Sequence, residues 1–257
     1  MNKGVQMLKD LFENDLAHVE VSDAEALAGY VPEIVDGVMR SRKSTRAFLP
    51  RPVCLNDVRE ILEVAGRAPS GTNIQPWRAY VVDKPRIDAV HRAVLNSGIK
   101  PERAEWIEYK YYPDQFVDPF LTRRRKLGKA LYMLLGIDKR DIQAMRAHFN
   151  RNYKFFDAPV GIFITIDRKL AVGSWLDLGM FIQSVLLAAQ ARGIASCPIA
   201  AFAPFHEQVR AVVDIPGQEI LVCGVALGYP DPAKPENALQ TDRAALSEWV
   251  RFPDPQD

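Results

Sequence analysis

The sequence is short of the residues that build the common chemical centres. It holds four histidines and three cysteines. Cys54, Cys197 and Cys223 are odd in number and share no C-x-x-C spacing, which argues against a disulfide framework or a zinc site and fits a reducing, cytoplasmic setting. His18, His91, His148 and His206 are scattered, with no H-E-x-x-H among them, and read as structural or surface residues. No G-x-G-x-x-G follows a strand and no G-x-x-x-x-G-K-[ST] occurs, so neither a Rossmann turn nor a P-loop holds a nucleotide. A G-x-S-x-G elbow is missing too, as is any pair of carboxylates at a telling spacing. No apolar run reaches the ~18 residues of a membrane span. Lys9, Asp10, Glu13 and Asp15 break up any signal-peptide core. A net charge of +1 gives no overall attraction to nucleic acid or acidic lipid, so an anion site has to be local.

What is present describes a globular chain. The 257 residues suffice for one large domain or two small ones, and 48% hydrophobic with 25% charged residues is ordinary for such a chain. Residues 1–32 form a mixed-charge arm in which Val5, Leu8, Leu11 and Phe12 recur at helical spacing. Apolar stripes predict helices over 33–41, 55–67, 86–96 and 205–213, and a further short helix over 242–249. Apolar runs, nearly continuous and β-branched over 159–166, predict strands over 79–82, 159–166 and 220–227; 194–199 reads as a short strand or loop ending at Pro198, and 250–252 could form an edge strand. Residues 174–192 make the longest helix, ended by Gly193, and it is apolar nearly all round. A helix of that kind has to be covered on every side, which points to a second subunit. This order of elements argues an α+β fold around one mixed sheet.

Two dense patches flank the helix over 55–67. The first packs five cationic side chains, Arg40, Arg42, Lys43, Arg46 and Arg51, with the hydroxyls of Ser44 and Thr45 into twelve residues. Guanidinium forks and hydroxyls match phosphate oxygens, so this segment suits a small anion. The second, Ala68–Trp77 (APSGTNIQPW), is a turn rich in backbone donors that leads straight into a strand. Trp77 itself, opening that strand, reads as core. Between residues 98 and 153 lies a polar, aromatic stretch with Trp106, Tyr109, Tyr111, Tyr112, Phe116 and Phe120 close together. These rings either bury against the domain or form a lid over a flat substrate. The run Arg123–Lys126 reads as a solvated helix face, the other reading being selection of a cofactor's extra phosphate.

The pattern Arg42-x-Ser44-x-Arg46-x-Phe48, followed by Ala68-Pro69-Ser70-x-x-Asn73-x-Gln75-Pro76-Trp77, with Cys197-Pro198 and a late Arg243, resembles the FMN-dependent nitroreductase family over roughly residues 33–252. The resemblance implies a nitroreductase-like fold: a small mixed central β-sheet flanked by helices, an intertwined homodimer, and 98–153 as a variable insertion over the pocket. It implies FMN as bound cofactor. Arg42 and Ser44 would hold the phosphate, with Lys43 beside them. Arg46 would reach the N1/O2 edge, where a cation stabilises negative charge and raises the potential. Pro69, Ser70 and Asn73 would contact the flavin from the other subunit. Around Pro198, Ala200 and Ala201 a backbone N–H would meet flavin N5; many relatives carry a Glu-Gly pair there, but any residue except proline keeps that donor. Arg243 would close on the phosphate, and Lys154 aligns with a lysine near the pyrimidine ring. The substrate lid would include Trp106, Tyr109, Tyr112 and Phe120. No protein side chain needs to be catalytic, because the cofactor carries the chemistry. The implied reaction is ping-pong: NADH or NADPH donates hydride, and a small aromatic nitro compound is reduced to its hydroxylamine. The alternatives are a related reductase or dehalogenase acting on a quinone or halogenated aromatic, or a non-catalytic FMN-binding protein. No metal, nucleic acid or membrane partner is expected.

Overall fold

The computed structural model describes residues 31–99 and 107–253. Nearly all of the expected N-terminal arm, and Trp106, lie outside the described residues. The chain divides into two units, Met1–Arg42 and Lys43–Asp257. In the first, α1 (Val31–Ser41) has Glu33 in its first turn and Arg40 in its last, matching the helix dipole. None of its residues is buried, and Ile34, Val35 and Met39 are exposed.

The second unit is built on four strands. Following α2 (Leu55–Ala65) come β1 (Trp77–Asp83) and α3 (Lys84–Asn96), whose N-cap Asp83 accepts the Arg86 N–H. The insertion contributes α4 (Phe120–Leu134) and α5 (Ile142–Asn150). Then follow β2 (Val160–Asp167), the 20-residue α6 (Val172–Ala191), β3 (Ala195–Ile199), α7 (His206–Val213), β4 (Glu219–Gly228) and the four-residue α8 (Leu246–Trp249). The expected helix over 242–249 is therefore reduced to its last turn, and 250–252 forms no strand.

The strand order is β1-β2-β4-β3, and every pairing is antiparallel. The expected mixed sheet is corrected to an antiparallel one; among the described residues, parallel pairing is confined to the single bridge Ser44–Ser196. Hydrophobic runs show that a strand is buried on both faces, but they do not fix its direction. β2 and β4 are the central strands. On one face Ile162, Ile164 and Ile166 pack with α2 and α6; on the other Phe163 packs with α3, α7 and an aromatic cluster. This is the two-residue alternation of a pleated strand.

The alternation breaks once. Ile164 pairs with Cys223 and Thr165 with Leu221, so Val222 is an extra residue in β4. Val222 and Cys223 consequently lie in the same core cluster. Side chains of the insertion occupy the backbone beside this bulge, beyond the end of β3. Glu108 accepts the Leu221 N–H at 3.1 Å, and the Tyr109 hydroxyl donates to the Val222 carbonyl.

α6 is long and apolar enough to cross a membrane by length and composition. Here Leu178, Phe181, Val185 and Leu186 are buried against the sheet. Its other face, with Val172 at 80% and Leu176 at 72% exposed, is uncovered in the single chain. Past its end Gly193 takes φ +69°, and the Ile194 N–H returns to the Ala189 carbonyl, closing the helix as a glycine does.

Candidate active site

The first cationic run continues as an extended strap. Ser44 bridges Ser196 of β3, the Thr45 N–H donates to the Ser196 carbonyl at 3.0 Å, and the Leu49 N–H donates to the Tyr229 carbonyl at 2.9 Å. Thr45 and Ala47 point into the protein and are buried, while Ser44 and Arg46 are part-exposed. Extended backbone alternates its side chains, so Ser44 and Arg46 share the outward face. The Arg46 N–H donates to Asn237 Oδ1 at 2.9 Å, and its guanidinium makes a long contact of 3.4 Å to the Ser44 carbonyl. Lys43 Nζ donates to the Asn237 carbonyl at 2.5 Å. Lys43 is the more exposed of the two cations, but its ammonium is held by that carbonyl, whereas among the described residues the Arg46 guanidinium makes only the long contact to Ser44. Arg42 ends the N-terminal unit, its N–H donating to the Val38 carbonyl at 3.1 Å.

Behind the strap lies a polar layer. Arg151 pairs with Glu236, which is 2% exposed, and His148 on α5 is nearly buried. Burial, with the positive charges of Arg151 and Arg46, holds His148 below the ordinary imidazole range, Glu236 pulling the other way. The insertion therefore passes close enough to Arg46 for its charge to be felt at α5.

β3 carries the next element. Pro198 is exposed on the edge strand, and the chain then turns into a 3-10 segment, Ala200–Phe205. Ala200 and Ala201 open this segment, where backbone N–H groups have no partner within the helix itself. Both residues are part-exposed. The parallel bridge sets Ser44 beside Ser196, two residues before Pro198 on β3, and by Phe48 the strap has passed to Pro230 beyond the end of β4. Phe202 of the 3-10 segment joins the core, where the fully buried Phe155, Phe163 and Phe202 have ring centroids 5.0–5.2 Å apart. Phe155, Phe156 and Asp157 all have positive φ, 51°, 56° and 68°. That backbone costs about 1–2 kcal/mol per residue. The Phe155 ring lies against β2 and β4 only because Gly161 and Gly224 have no side chain; a Cβ at either would sit 2.8 or 2.9 Å from it.

The second patch is a tight turn. Ser70 Oγ accepts the Gln75 N–H at 3.0 Å, and Thr72, Asn73 and Gln75 have positive φ. Buried Asp177 of α6 accepts the Gly71 N–H at 3.3 Å. Pro69 and Asn73 are exposed and Ser70 is part-exposed. Trp77 is part-buried and stacks on Phe181 at 4.9 Å and 5°, as expected for a core residue. This turn leads into β1, while the strap is bridged to β3. The two patches therefore hang from opposite edge strands, three interstrand steps or about 14 Å apart.

The remaining expected residues scatter. Arg243 is exposed and turns its guanidinium on Thr241 and on the Asp242 carbonyl, at 2.7–3.1 Å. Tyr109 is an anchor, tilted on Trp175 at 4.9 Å and bonded to β4. Tyr112 and Phe120 are exposed, and Arg124 lies over the rings of Tyr112 and Phe116 at 5.3 and 4.6 Å. In the basic run, Arg123 pairs with Glu248 at 3.0 Å and Lys126 with Asp242. Those pairs tie α4 to the C-terminal segment. Burial first, and then the charge of Lys154, holds His91 below its ordinary value, which places Lys154 near α3. Asn237, Asp177 and Glu108 hold these segments in place and carry no motif that singles them out in the sequence.

The strap offers a part-exposed hydroxyl and guanidinium, and the segment after β3 offers part-exposed backbone. That donor set fits a planar cofactor bearing a phosphate. No cluster of three or more possible metal ligands occurs among the described residues.

Residues 39–229 match the model of the nitroreductase family. A 4-nitrobenzoate reductase of Nocardioides sp. strain LMS-CY is 36% identical over 86% of this chain and 90% of its own. A nitrobenzene nitroreductase of Ectopseudomonas oleovorans is 33% identical over 85% and 96%. Among solved structures, the FMN and NADPH-dependent nitroreductase NfnB from Sphigopyxis sp. strain HMH superposes with a TM-score of 0.80 at 37% identity, covering 85% of this chain and 98% of that one. Strap, turn and sheet edge thus sit in a fold shared along almost the whole length of these relatives, and the chain belongs to the nitroreductase family.

Proposed function

We propose that the protein is an FMN-dependent oxidoreductase that uses NADH or NADPH to reduce small nitroaromatic compounds, with a benzoate-type acceptor the first to try. The observation that carries this is the strap: Ser44 and Arg46 are part-exposed on one side of an extended segment bridged to β3, the strand that leads into Ala200 and Ala201. The similarity to a 4-nitrobenzoate reductase and to an FMN and NADPH-dependent enzyme supports the same reading.

Bound FMN would supply hydride transfer at its N5. Arg42 and Ser44 would hold its phosphate. Arg46 would place positive charge at the N1/O2 edge, and the N–H of Ala200 or Ala201 would meet the N5 edge. Pro69, Ser70 and Asn73 would come from a second copy. Two facts favour a homodimer: the patches hang from opposite edges of one sheet, and α6 leaves Val172, Leu176 and Met180 uncovered. Lys43 and Arg243 already make hydrogen bonds within the chain. Tyr112 and Phe120, exposed on the insertion, are the rings available to cover a flat substrate. A cytoplasmic location fits free thiols at Cys54, Cys197 and Cys223.

The test is steady-state turnover of the FMN-loaded protein with each nicotinamide donor. The acceptors are 4-nitrobenzoate, nitrobenzene, a quinone and a halotyrosine. Fastest turnover with a nitroarene, and parallel double-reciprocal lines, are expected. Donor oxidation with the quinone or halotyrosine alone would reassign the acceptor, and none with any acceptor would leave only flavin binding.

A further inference from the structure

Asn237 sits in a 3-10 turn, Pro235–Ala238, far from the strap in sequence, and is 7% exposed. Its side-chain amide is fully used. Oδ1 accepts the Arg46 N–H at 2.9 Å, while Nδ2 donates to the Ala47 carbonyl at 2.8 Å and to the Asp231 carbonyl at 2.9 Å. Its own carbonyl accepts Lys43 Nζ, and its N–H donates to the Lys234 carbonyl at 3.1 Å. A single residue thus holds the Arg46 N–H, the Ala47 carbonyl and the Lys43 ammonium together, on either side of Ser44 and Thr45.

We propose that Asn237 is the positioning residue for Arg46, fixing its main chain so that its guanidinium stands at the flavin edge; this rests on the FMN reading above. The three side-chain bonds set the orientation of the amide, because Arg46 supplies a donor and Ala47 and Asp231 supply acceptors. An aspartate could still accept from Arg46, but its second oxygen would face two carbonyls. The Thr45, Arg46 and Leu49 N–H groups are all taken up by the protein, so at these positions a ligand meets side chains rather than backbone. Their aim then depends on how firmly the strap is held. α4 packs on the turn that carries Asn237, so the insertion and the strap share this support.

The test compares wild type, Asn237→Ala, Asn237→Asp, Arg46→Ala and the Arg46→Ala/Asn237→Ala pair, all reconstituted with FMN. FMN affinity is read by flavin fluorescence, and the two-electron midpoint potential by equilibration with reference dyes. The proposal expects each Asn237 variant to bind FMN at least tenfold more weakly. It also expects the potential to fall in the same direction as in Arg46→Ala. The pair should fall no further than Arg46→Ala alone, because Asn237 acts through Arg46. An unchanged potential in Asn237→Ala, or additive effects in the pair, would overturn it while leaving FMN binding by wild type intact. Wild type that binds no FMN would overturn the cofactor reading and this proposal together. Should Asn237→Ala fail to fold, Asn237→Ser gives the same comparison; failure of every Asn237 variant to fold would replace the positioning role with a general structural one.

Discussion

At the residue scale, glycine does as much as arginine to shape the site. Phe155 lies across Gly161 and Gly224 in a left-handed turn, and its ring supports the segment that carries Ala200 and Ala201. A Cβ at Gly224 would meet Phe155 at 2.9 Å and Phe202 at 3.1 Å. The Gly224→Ala variant is therefore expected to lose about 1–3 kcal/mol by overpacking, seen as a lower urea midpoint with an unchanged slope. Stability equal to wild type would mean that the ring moves aside freely. Neither glycine is marked in the sequence, since each sits in an apolar run that reads only as strand. Ser44, Arg46 and the Pro69–Asn73 turn are legible because their chemistry is local and dense. Asn237 is not, because its bonds to Arg46 and Ala47 span about 190 positions of chain.

At the scale of elements, the insertion is fastened by a buried acid. Glu108 is bonded to Arg168 and to Arg210 at 2.9 Å, with His206 at 3.7 Å and the Leu221 N–H at 3.1 Å. Burial pushes its carboxyl up, but Arg168, the Leu221 N–H, His206 and Arg210 together hold it below the ordinary value of 4.5. A depressed carboxyl contributes stability that is present above the unfolded value and lost as pH falls through the folded one. The stability gap between wild type and Glu108→Gln should accordingly be widest near neutral pH and shrink below about pH 4.5. Urea unfolding across that range measures it, and a gap that stays constant would show that the charge of Glu108 is not what fastens the insertion. The helices and strands are legible from their apolar periodicity, within a few residues at most ends. Strand direction and the Val222 bulge are not, because each is decided by partners distant in sequence.

At the scale of the whole molecule, one chain carries the two patches proposed to hold FMN on opposite edges of its sheet. The strap is bridged to one edge of the sheet and the second turn leads into the other. On α6, Val172, Leu176 and Met180 form an apolar row with nothing over it among the described residues. Both features are met if two copies pack through α6 and each completes the other's site. The sequence signals this in an unusually apolar helix, though not which of its faces stays uncovered. The most direct measurement is size-exclusion chromatography with absorbance and light scattering, on wild type and on Leu176→Glu after incubation with FMN. The account predicts that wild type elutes at twice the chain mass with one flavin per chain, and that the variant elutes at the chain mass without flavin. A monomeric species that keeps its full complement of FMN would contradict it.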